Sequence, residues 1–451
     1  MPGSKPRHLL RCTKIVEISK TITPYSISPA RKFRHWTWYR LFIVYRAIFG
    51  VIFGLNIIAL GLVLALERPW KAKDFTFNWL PLFIVTNFFC GTLIRNEHFI
   101  NLLFKAVLQT PRSTPLWIRK RVAHVHHYGG FHSGCHTAAA IWFLLFLICS
   151  WKQPGLRNDL IKAVLAVTTT AFFLQVVIII FAYPVLRRSC HDAFEISHRQ
   201  GGWAILILLW ILFSLLVCEK RRTTTTSTHS LVLTNAVFWL QLGTTALVIY
   251  PWTHHASRIH FTSKHRYSGG AAIKIGKSVL NEYHAFAIIP VSDNKTGFSI
   301  LVSNAGNWTR SLIQNPPEKL WLRELPVYGV ITVARLFSSV LLVTTGAGIG
   351  PCLGLLIEHP DLDVKVLWYA RDPVSTYGSE IVDMVKKADE EASIIDTSVH
   401  GRLDIVQMAV KRFHESKAEA VVVISNKKVI DEVVFEMSKL GIPCYGPIFD
   451  S

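Results

Sequence analysis

The sequence predicts a six-helix transmembrane bundle followed by a soluble module, which combines a small antiparallel β-barrel with an α/β domain. Three observations carry this prediction. Hydrophobic residues make up 51% of the chain and charged residues 17%, against roughly 25% charged residues in a typical soluble domain. Long apolar runs recur between residues 41 and 255. From residue 339 onward, strands, glycine-rich turns and helices alternate, which is typical of a parallel sheet covered by helices.

Composition and charge narrow the classes of function. With 49 Lys and Arg against 29 Asp and Glu, the 451-residue chain has a net charge of +20. In so apolar a chain this excess indicates loops beside a membrane. The basic residues are spread over many segments, so we expect no nucleic-acid partner. The eight Cys form no CxxC pair and no Cys/His metal spacing, so we expect neither a disulfide framework nor a zinc site.

The apolar runs have about the length of membrane helices, which need roughly 20 residues. The predicted spans are Leu41–Leu66, Phe77–Ile94, Tyr128–Trp151, Leu160–Leu186, Gly201–Cys218 and Leu231–Tyr250. An even number of spans puts both termini on the same side of the membrane. The N-terminal tail and the loops on that side carry 18 Lys and Arg, whereas the loops on the opposite side carry 8. We therefore expect an integral, multi-pass membrane protein with both termini cytoplasmic and membrane lipids as partners.

Four segments follow from these patterns: a basic tail (1–40), the transmembrane domain (41–255), the barrel domain (256–338) and the α/β domain (339–451). In the last segment we predict strands at Val340–Thr344, Val364–Tyr369, Ser393–Asp396 and Ala420–Ile424. The predicted helices are Gly350–Glu358, Ser379–Glu390, Arg402–Ser416 and Lys428–Leu440.

The strongest local motif is the glycine triplet Gly346, Gly348 and Gly350, followed by Pro351. An apolar strand precedes it and a helix follows it. Glycines permit a tight turn and close approach of the backbone to a diphosphate, while the helix N-terminus offers free N–H groups. Pro351 suits a first helical turn. The motif predicts a nucleotide site, with a purely structural turn as the alternative.

Two arginines are candidate phosphate ligands. Arg371 follows the second strand, where an Arg can hold the 2′-phosphate of NADP, and the neighbouring Asp372 is the residue type that favours NAD. Arg402 is the second candidate. The alternatives are a solvated loop charge at Arg371 and an ordinary first-turn residue at Arg402.

With these motifs in place, the soluble half resembles the ferredoxin–NADP reductase superfamily, in the form found in NADPH oxidases and ferric reductases. The glycine triplet matches its nicotinamide-nucleotide motif. The segment with His284 and Phe286 resembles its flavin-holding His-Pro-Phe-Thr, and the segment with Trp308 and Thr309 resembles its Gly-x-Trp-Thr. The resemblance implies a ferredoxin-reductase-like module that binds FAD at these four residues and NADPH, or NADH, at the glycine turn.

The sequence departs from that family at two places. Ser425, Asn426 and Lys427 replace the family's Cys-Gly-Pro, whose Cys normally lies near the nicotinamide, and only Tyr328 and Gly329 remain of its Gly-Pro-Tyr-Gly. At the C-terminus the sequence agrees with the family, since Phe449 stands where the family stacks an aromatic ring on the flavin. The alternative for Phe449 is a packed tail residue.

The whole chain more closely resembles fungal TmpA-type membrane flavoproteins. The residues that carry this resemblance are Arg95–Phe99, His127–Cys135, Phe194–Arg199 and the C-terminal Tyr445–Ser451. That family is implicated in fungal development and signalling, and it is related to domains fused to adenylate-forming enzymes.

Histidines in membrane spans raise the question of haem, since buried imidazoles are costly unless they are bonded or act as ligands. The related oxidases carry pairs of His about 13 residues apart, whereas here the residues 13 beyond His127 and His198 are Ala140 and Ile211. Two haems are therefore not expected. His127 (or His126) and His198 remain a candidate pair for a single haem, with interfacial and hydrogen-bonded histidines as the alternative.

The function predicted from the resemblance is an integral membrane flavoprotein oxidoreductase that passes electrons from NAD(P)H through FAD to a small-molecule or quinone-like acceptor. Development, signalling or secondary metabolism is its expected setting. Two alternatives stay open: a catalytically degenerate membrane scaffold, suggested by the lost Cys-Gly-Pro, and a haem-containing ferric reductase or NADPH oxidase.

Overall fold

The computed structural model describes residues 43–66, 79–152, 159–253, 256–259, 268–278, 283–290, 297–304, 306–317, 319–401 and 403–448. These residues form two compact units. The helical unit contains residues 43–99 and 127–253, and the mixed unit contains residues 100–126 and 256–448. The mixed unit thus includes a segment that lies, in sequence, between helices of the helical unit.

Up to residue 253 the described residues form helices joined by short turns and connections. The α-helices in chain order are α1 (Val44–Leu66), α2 (Leu80–Leu93), α3 (Glu97–Leu108), α4 (Leu116–Val122), α5 (Gly129–Trp151), α6 (Asp159–Ala182), α7 (Pro184–Ser189), α8 (His191–Thr223), α9 (Thr228–Leu233) and α10 (Ala236–Thr253). A 3₁₀ turn, Ala123–His127, follows α4. Apolar side chains from α2, α5, α6, α8 and α10 form the core of the helical unit.

A partly buried polar network joins three helices of the helical unit. The side-chain oxygen of Asn56 on α1 accepts hydrogen bonds from Asn87 Nδ2 on α2 (2.9 Å) and from Trp142 Nε1 on α5 (2.9 Å). Asn87 Nδ2 also donates to the carbonyl of Phe83. Because unmade hydrogen bonds are costly in an apolar core, this network specifies one arrangement of α1, α2 and α5.

Four described helices are long and apolar enough to cross a membrane: Val44–Leu66, Gly129–Trp151, Asp159–Ala182 and Asp192–Arg222. The segments Leu80–Leu93 and Ala236–Tyr250 are apolar but shorter. The predicted bundle of six spanning helices is therefore not confirmed. One reason is local: Asn235 Oδ1 accepts the amide of Val237 (2.9 Å), and the chain starts a new helix inside the predicted span Leu231–Tyr250.

The mixed unit contains the described strands. They are β1 (Ala256–Ile259), β2 (Ala271–Gly276), β3 (Tyr283–Ala287), β4 (Ile289–Pro290), β5 (Phe298–Ser299), β6 (Leu320–Tyr328), β7 (Ser339–Thr345), β8 (Asp363–Ala370), β9 (Ser393–Asp396), β10 (Ala420–Ile424) and β11 (Cys444–Tyr445). Its further helices are α11 (Asn307–Gln314), α12 (Ile349–Glu358), α13 (Pro373–Tyr377), α14 (Ser379–Ala388), α15 (Thr397–His400), α16 (Ile405–Ser416) and α17 (Lys427–Lys439).

The antiparallel subdomain (256–328) contains β1 to β6 and α11. Four strands pair in the order β1-β6-β2-β3, and β4 pairs with β5 as a separate ribbon. Ile273, Ile288 and Leu322 are fully buried in its core, together with Leu312 of α11. In the described residues the predicted barrel is thus an open sheet with a ribbon, and residues 260–267, 279–282 and 291–296 lie outside the described part.

The parallel subdomain (339–448) contains one five-stranded sheet in the order β11-β10-β7-β8-β9, with every pair parallel. All four predicted strands are confirmed to within one residue at each end. β10 is buried along its whole length, as expected for a strand covered by helices on both faces. The predicted helix Arg402–Ser416 begins later, at Ile405, because Asp404 Oδ1 caps it by accepting the amides of Val406 and Gln407.

The two subdomains of the mixed unit meet through glycine backbone. A Cβ on Gly269 would lie 2.0 Å from the carbonyl oxygen of Gly354, and a Cβ on Gly354 would lie 2.5 Å from that of Ile288. Beside them, Ser268 Oγ donates to Glu358 Oε1 (2.7 Å). No larger residue fits at either glycine without moving backbone.

Candidate functional site

The candidate site lies where the connections of the parallel sheet reverse direction. The chain runs from β7 outward through β8 to β9, and then returns to place β10 on the other side of β7. The carboxyl ends of β7 and β10 therefore border the crevice in which open α/β sheets bind their ligands. The glycine triplet follows β7 directly, and α12 begins at Ile349 with its amino end at this edge.

The three glycines have different structural roles. Gly346 has a φ of +55°, a conformation that glycine adopts without strain. At Gly348, a Cβ would lie 2.5 Å from the carbonyl oxygen of Ile424 and 2.6 Å from Thr344 Oγ1. Gly348 thus lets the turn pack against β10. Gly350 is in the first turn of α12, where a Cβ would meet Leu301 at 3.3 Å.

Two side chains brace the turn. The buried Trp368 of β8 donates its Nε1–H to the carbonyl of Gly346 (3.0 Å), and Tyr377 packs against the Trp368 ring at 5.3 Å between centroids. At the ends of β7 and β10, the hydroxyls of Thr345 and Ser425 are hydrogen-bonded to each other. Ser425, which replaces the family's Cys, thus lies at the crevice, and sequence reasoning had not paired it with Thr345.

Arg371 is exposed at the carboxyl end of β8. Its loop is held by its neighbours: Asp372 has a left-handed φ of +40° and caps α13, and the Asp372 amide donates to Asp396 Oδ1 (3.0 Å). Asp396 also accepts from the amide of Ser398 (2.8 Å). Desolvation by burial opposes the charged form of Asp396, but the Ser398 hydroxyl, which donates to Oδ1 (2.6 Å), and these two amides outweigh it and lower the pKa of Asp396. A fixed loop with an exposed guanidinium suits a phosphate group at the sheet edge.

An aromatic cluster lies in the antiparallel subdomain. Two residues of β3 on the same face, His284 and Phe286, approach the Trp308 ring of α11 at centroid distances of 4.3 and 5.9 Å. Lys277 Nζ lies 5.7 Å from that ring. Thr309 has a local role, since its hydroxyl accepts the amide of Gly306 (3.0 Å) and donates to the Gly306 carbonyl (3.1 Å). Three of the five predicted flavin residues therefore form one cluster, while Thr309 caps α11.

Two predicted site residues, Arg402 and Phe449, lie outside the described residues. The tail aromatic that the structure does describe is Tyr445 of β11. Its ring stacks on Phe337 at 5.6 Å, and its hydroxyl donates to the carbonyl of Lys120 (3.1 Å).

The two histidines proposed for a haem have other neighbours in the helical unit. His127 Nδ1 accepts the amide of Tyr45 (3.2 Å). The imidazole next to His198 is that of His132, at 6.1 Å between ring centroids. His132 Nδ1 is hydrogen-bonded to the carbonyl of Gly91 (2.7 Å), and the His136 ring lies 4.5 Å from the His132 ring. The cluster around His198 thus consists of His132 and His136, and a haem held by His127 and His198 stays a prediction.

Cys352 follows the glycine turn and is fully buried. Its Sγ is hydrogen-bonded to the carbonyl of Gly348 (3.5 Å), and burial raises the pKa of the thiol to about 12. We expect iodoacetamide at pH 8 to leave Cys352 unmodified in the folded protein and to alkylate it fully after denaturation, because the thiolate is the nucleophile. Peptide mass spectrometry measures this, with the exposed Cys190 as the internal control. Labelling of Cys352 at the rate of Cys190 would contradict the burial.

With this geometry described, comparison with known proteins adds the following relationships. Residues 330–451 match the family model of the C-terminal domain of adenylate-forming reductase 03009. Two curated relatives from Coprinopsis cinerea, adenylate-forming reductases 03009 and 06235, are 35% and 34% identical to this chain over 434 residues. Each alignment covers 93% of this chain and 41% of the relative. The chain therefore spans about two fifths of the length of these relatives.

Among solved structures, a flavohemoglobin from Malassezia yamatoensis with bound FAD and heme is 13% identical, with a TM-score of 0.33, and covers 83% of this chain and 99% of its own. A mutant ferredoxin-NADP+ reductase from Plasmodium falciparum in complex with 2′P-AMP is also 13% identical, with a TM-score of 0.30, and covers 43% of this chain and 94% of its own. TM-scores this low carry no argument about the fold, which is therefore argued from the strand order of this chain alone.

These relatives correct two predictions. The predicted membership of the TmpA-type flavoproteins is wrong, since the matching family model and both curated relatives are adenylate-forming reductases. The predicted function, a membrane flavoprotein of development or signalling with a scaffold and a haem reductase as alternatives, is overturned by the same finding. The motifs behind it are short, whereas the similarity to the adenylate-forming reductases extends over 93% of the chain.

Proposed function

We propose that this chain is a reductase that works as part of an adenylate-forming reductase. In this proposal the parallel subdomain binds NADPH and the antiparallel subdomain binds FAD, in a ferredoxin-reductase-like arrangement. The observation that carries the proposal is the glycine turn, which lies at the switch point of a five-stranded parallel sheet and leads directly into α12. The names of the two Coprinopsis relatives support reduction as the type of reaction.

The residues of the crevice fit a dinucleotide. Gly346 allows the turn to pass close to a diphosphate, and the amino end of α12 presents its dipole to the negative charge. The exposed Arg371 is positioned for a phosphate on the adenosine ribose, which favours NADPH over NADH. The hydroxyls of Ser425 and Thr345 lie between the ends of β7 and β10 and can orient a polar group that enters the crevice.

The aromatic cluster fits a planar ring system. Trp308, His284 and Phe286 provide aromatic surface, and Lys277 provides a nearby positive charge. With both cofactors bound, a nicotinamide would supply hydride chemistry, and a flavin held by Trp308, His284 and Phe286 would supply two-electron redox chemistry. The protein would contribute binding, orientation and exclusion of water, and we propose a small molecule as the electron acceptor.

The first experiment is an absorption spectrum of the purified full chain, supplemented with FAD, before and after anaerobic addition of NADPH. Flavin bands that bleach support the proposal, and a chain that binds no flavin after supplementation contradicts it. We expect Trp308→Ala to lower flavin content several-fold and Trp308→Phe, which keeps an aromatic ring, to retain most of it. Equal flavin content in both variants would show that the aromatic ring of Trp308 does not contribute to flavin binding.

A second prediction concerns the choice of nucleotide. Arg371→Ala should raise the KM for NADPH about tenfold, since a charge-assisted hydrogen bond contributes roughly 1.5–3 kcal/mol. The KM for NADH should change less than twofold. Lys387→Ala is the matched control, because Lys387 is an exposed cation on α14 of the same subdomain. Steady-state kinetics with both nucleotides measures this, and an equal change for NADPH and NADH would exclude a contact with the 2′-phosphate.

We also propose that the helical unit lies in a bilayer. None of the described residues of α1 is buried, and Val51, Ile58 and Leu62 are each more than half exposed, which soluble proteins rarely tolerate over a whole helix. The expected result is a protein that stays in the pellet after alkaline carbonate extraction and is released by detergent. Release by carbonate alone would contradict the proposal.

A further inference from the structure

Residues 100–126, called the strap below, contact every part of the mixed unit. They comprise most of α3, all of α4 and the first residues of the 3₁₀ turn. Their partners lie in the antiparallel subdomain, in the parallel subdomain and in the linker between them, residues 329–338. The partners are more than 200 positions away in sequence.

Asn101 attaches the strap to the antiparallel subdomain. Its Nδ2 donates to the carbonyl of Pro326 (2.9 Å), and its Oδ1 accepts the amide of Tyr328 (3.1 Å). Both polar atoms of one side chain thus hold the last residues of β6. The neighbouring Phe104 is almost fully buried and lies 6.3 Å from the Tyr328 ring. This contact fixes the point at which the chain leaves β6 for the linker.

Arg119 attaches the strap to the linker and to the parallel subdomain. Arg119 is only 5% exposed. Its Nη1 donates to Glu419 Oε2 (2.6 Å) and to the carbonyl of Leu336 (3.0 Å), while Nη2 donates to Glu419 Oε1 (3.1 Å). Its Nε donates to the carbonyl of Thr114 within the strap (2.8 Å). A two-pronged pair of this kind is geometrically specific as well as strong.

Glu419 connects Arg119 to the parallel sheet. Its Oε2 accepts the amide of Ser338 (2.7 Å), and its own amide donates to the carbonyl of Ser339 (2.9 Å). Glu419 immediately precedes β10, and Ser339 is the first residue of β7. The Arg119–Glu419 pair therefore fixes the starts of the two strands whose carboxyl ends border the candidate crevice. The Arg119 guanidinium also lowers the pKa of the Glu419 carboxyl.

We propose that the strap sets the position of the antiparallel subdomain relative to the parallel subdomain, with Arg119 as the positioning residue. The inference rests on the proposed function, since its consequence is that nucleotide and flavin, held by different subdomains, meet in one geometry. Small displacements strongly slow reactions between positioned groups. Arg119 contacts neither cofactor site and acts through Glu419 and the linker.

The test uses the full chain and four variants. Arg119→Leu removes the guanidinium, Arg119→Lys keeps the charge without the two-pronged geometry, and Asn101→Ala releases the β6 end independently. Arg121→Leu is the matched control, because Arg121 is exposed on the same helix. The readouts are NADPH-driven ferricyanide reduction, the Kd for NADP+ by calorimetry, the Tm, and amide hydrogen exchange of residues 326–338.

We expect Arg119→Leu to lower kcat about tenfold and to change the Kd for NADP+ less than twofold. Exchange of residues 326–338 should become faster at the same time. Asn101→Ala should shift both readouts in the same direction, Arg119→Lys should recover part of kcat, and Arg121→Leu should match the wild type. Unchanged kcat and exchange in both Arg119→Leu and Asn101→Ala would overturn the proposal. So would a fall in Tm with a parallel rise in Kd, which indicates general loss of structure.

The exchange readout separates this inference from the proposed function. If the wild type neither binds NADP+ nor reduces ferricyanide, the proposed function fails. Faster exchange of residues 326–338 in Arg119→Leu and Asn101→Ala, with Arg121→Leu unchanged, would still support the strap as the element that positions the linker.

Discussion

Replacing Gly348 with alanine should raise the Kd for NADP+ on the order of 100-fold. The added Cβ would lie 2.5 Å from the carbonyl oxygen of Ile424 and 2.6 Å from Thr344 Oγ1, distances that folded proteins do not tolerate. The turn must therefore move away from β10. The same movement breaks the hydrogen bond from Thr344 Oγ1 to Ile424 (2.9 Å), which joins β7 to β10 at the crevice. Calorimetric titration with NADP+ measures the effect.

The cost in stability should be smaller than the cost in binding. Overpacking by one methyl group typically costs about 1–3 kcal/mol, and the remainder of the five-stranded sheet can absorb it. Gly306→Ala is the matched control for the thermal unfolding scan, since no atom lies within 4 Å of the added methyl group. An NADP+ affinity within twofold of the wild type in Gly348→Ala would show that the turn does not bind the nucleotide.

Four of the five strands of the parallel subdomain, β7 to β10, could be predicted to within one residue at each end, whereas β11 and the short helices α13 and α15 were not predicted. The four strands are short, mostly aliphatic runs that each end in a turn, so the pattern alone gives their limits. The helix ends are harder to predict because side-chain caps decide them. Asp404 shortens α16 at its amino end, and Asp396 supports the additional short helix Thr397–His400. Both effects depend on the hydrogen bonds that one carboxylate side chain accepts, and the periodicity of apolar residues does not reveal them.

The role of Arg119 could not be predicted from the sequence. In the charge count it is one of six basic residues in a loop between apolar runs, where it contributes to the expected topology. In the structure it is buried and paired with Glu419, 300 residues further along the chain. No local pattern reports a contact at that separation. The same holds for the histidines, since their expected position near one membrane face suggested His127 as the partner of His198, whereas folding places His132 beside it.

The second large effect is expected in the helical unit, at Gly130. A Cβ at this position would lie 2.1 Å from the carbonyl oxygen of Tyr45 on α1, so Gly130→Ala should force α1 away from α5. Tyr45 also donates its amide to His127 and is hydrogen-bonded through its hydroxyl to Ser133 (2.6 Å). Both bonds should weaken together. We expect a loss of at least 1–3 kcal/mol of stability, because the obstructing atom is backbone and cannot rotate away.

Amide hydrogen exchange distinguishes this local separation from general unfolding. In the wild type the Tyr45 amide is protected by its hydrogen bond to His127. In Gly130→Ala this amide should exchange much faster. Amides near the Asn56–Asn87–Trp142 network should change less, because that network holds α1 further along the helix. Gly202→Ala is the matched control, since it adds a methyl group to a helix with no atom within 4 Å and should stabilise α8 slightly. Equal Tm values for Gly130→Ala and Gly202→Ala would contradict the close approach of α1 to α5, and with it the packing that specifies the helical unit.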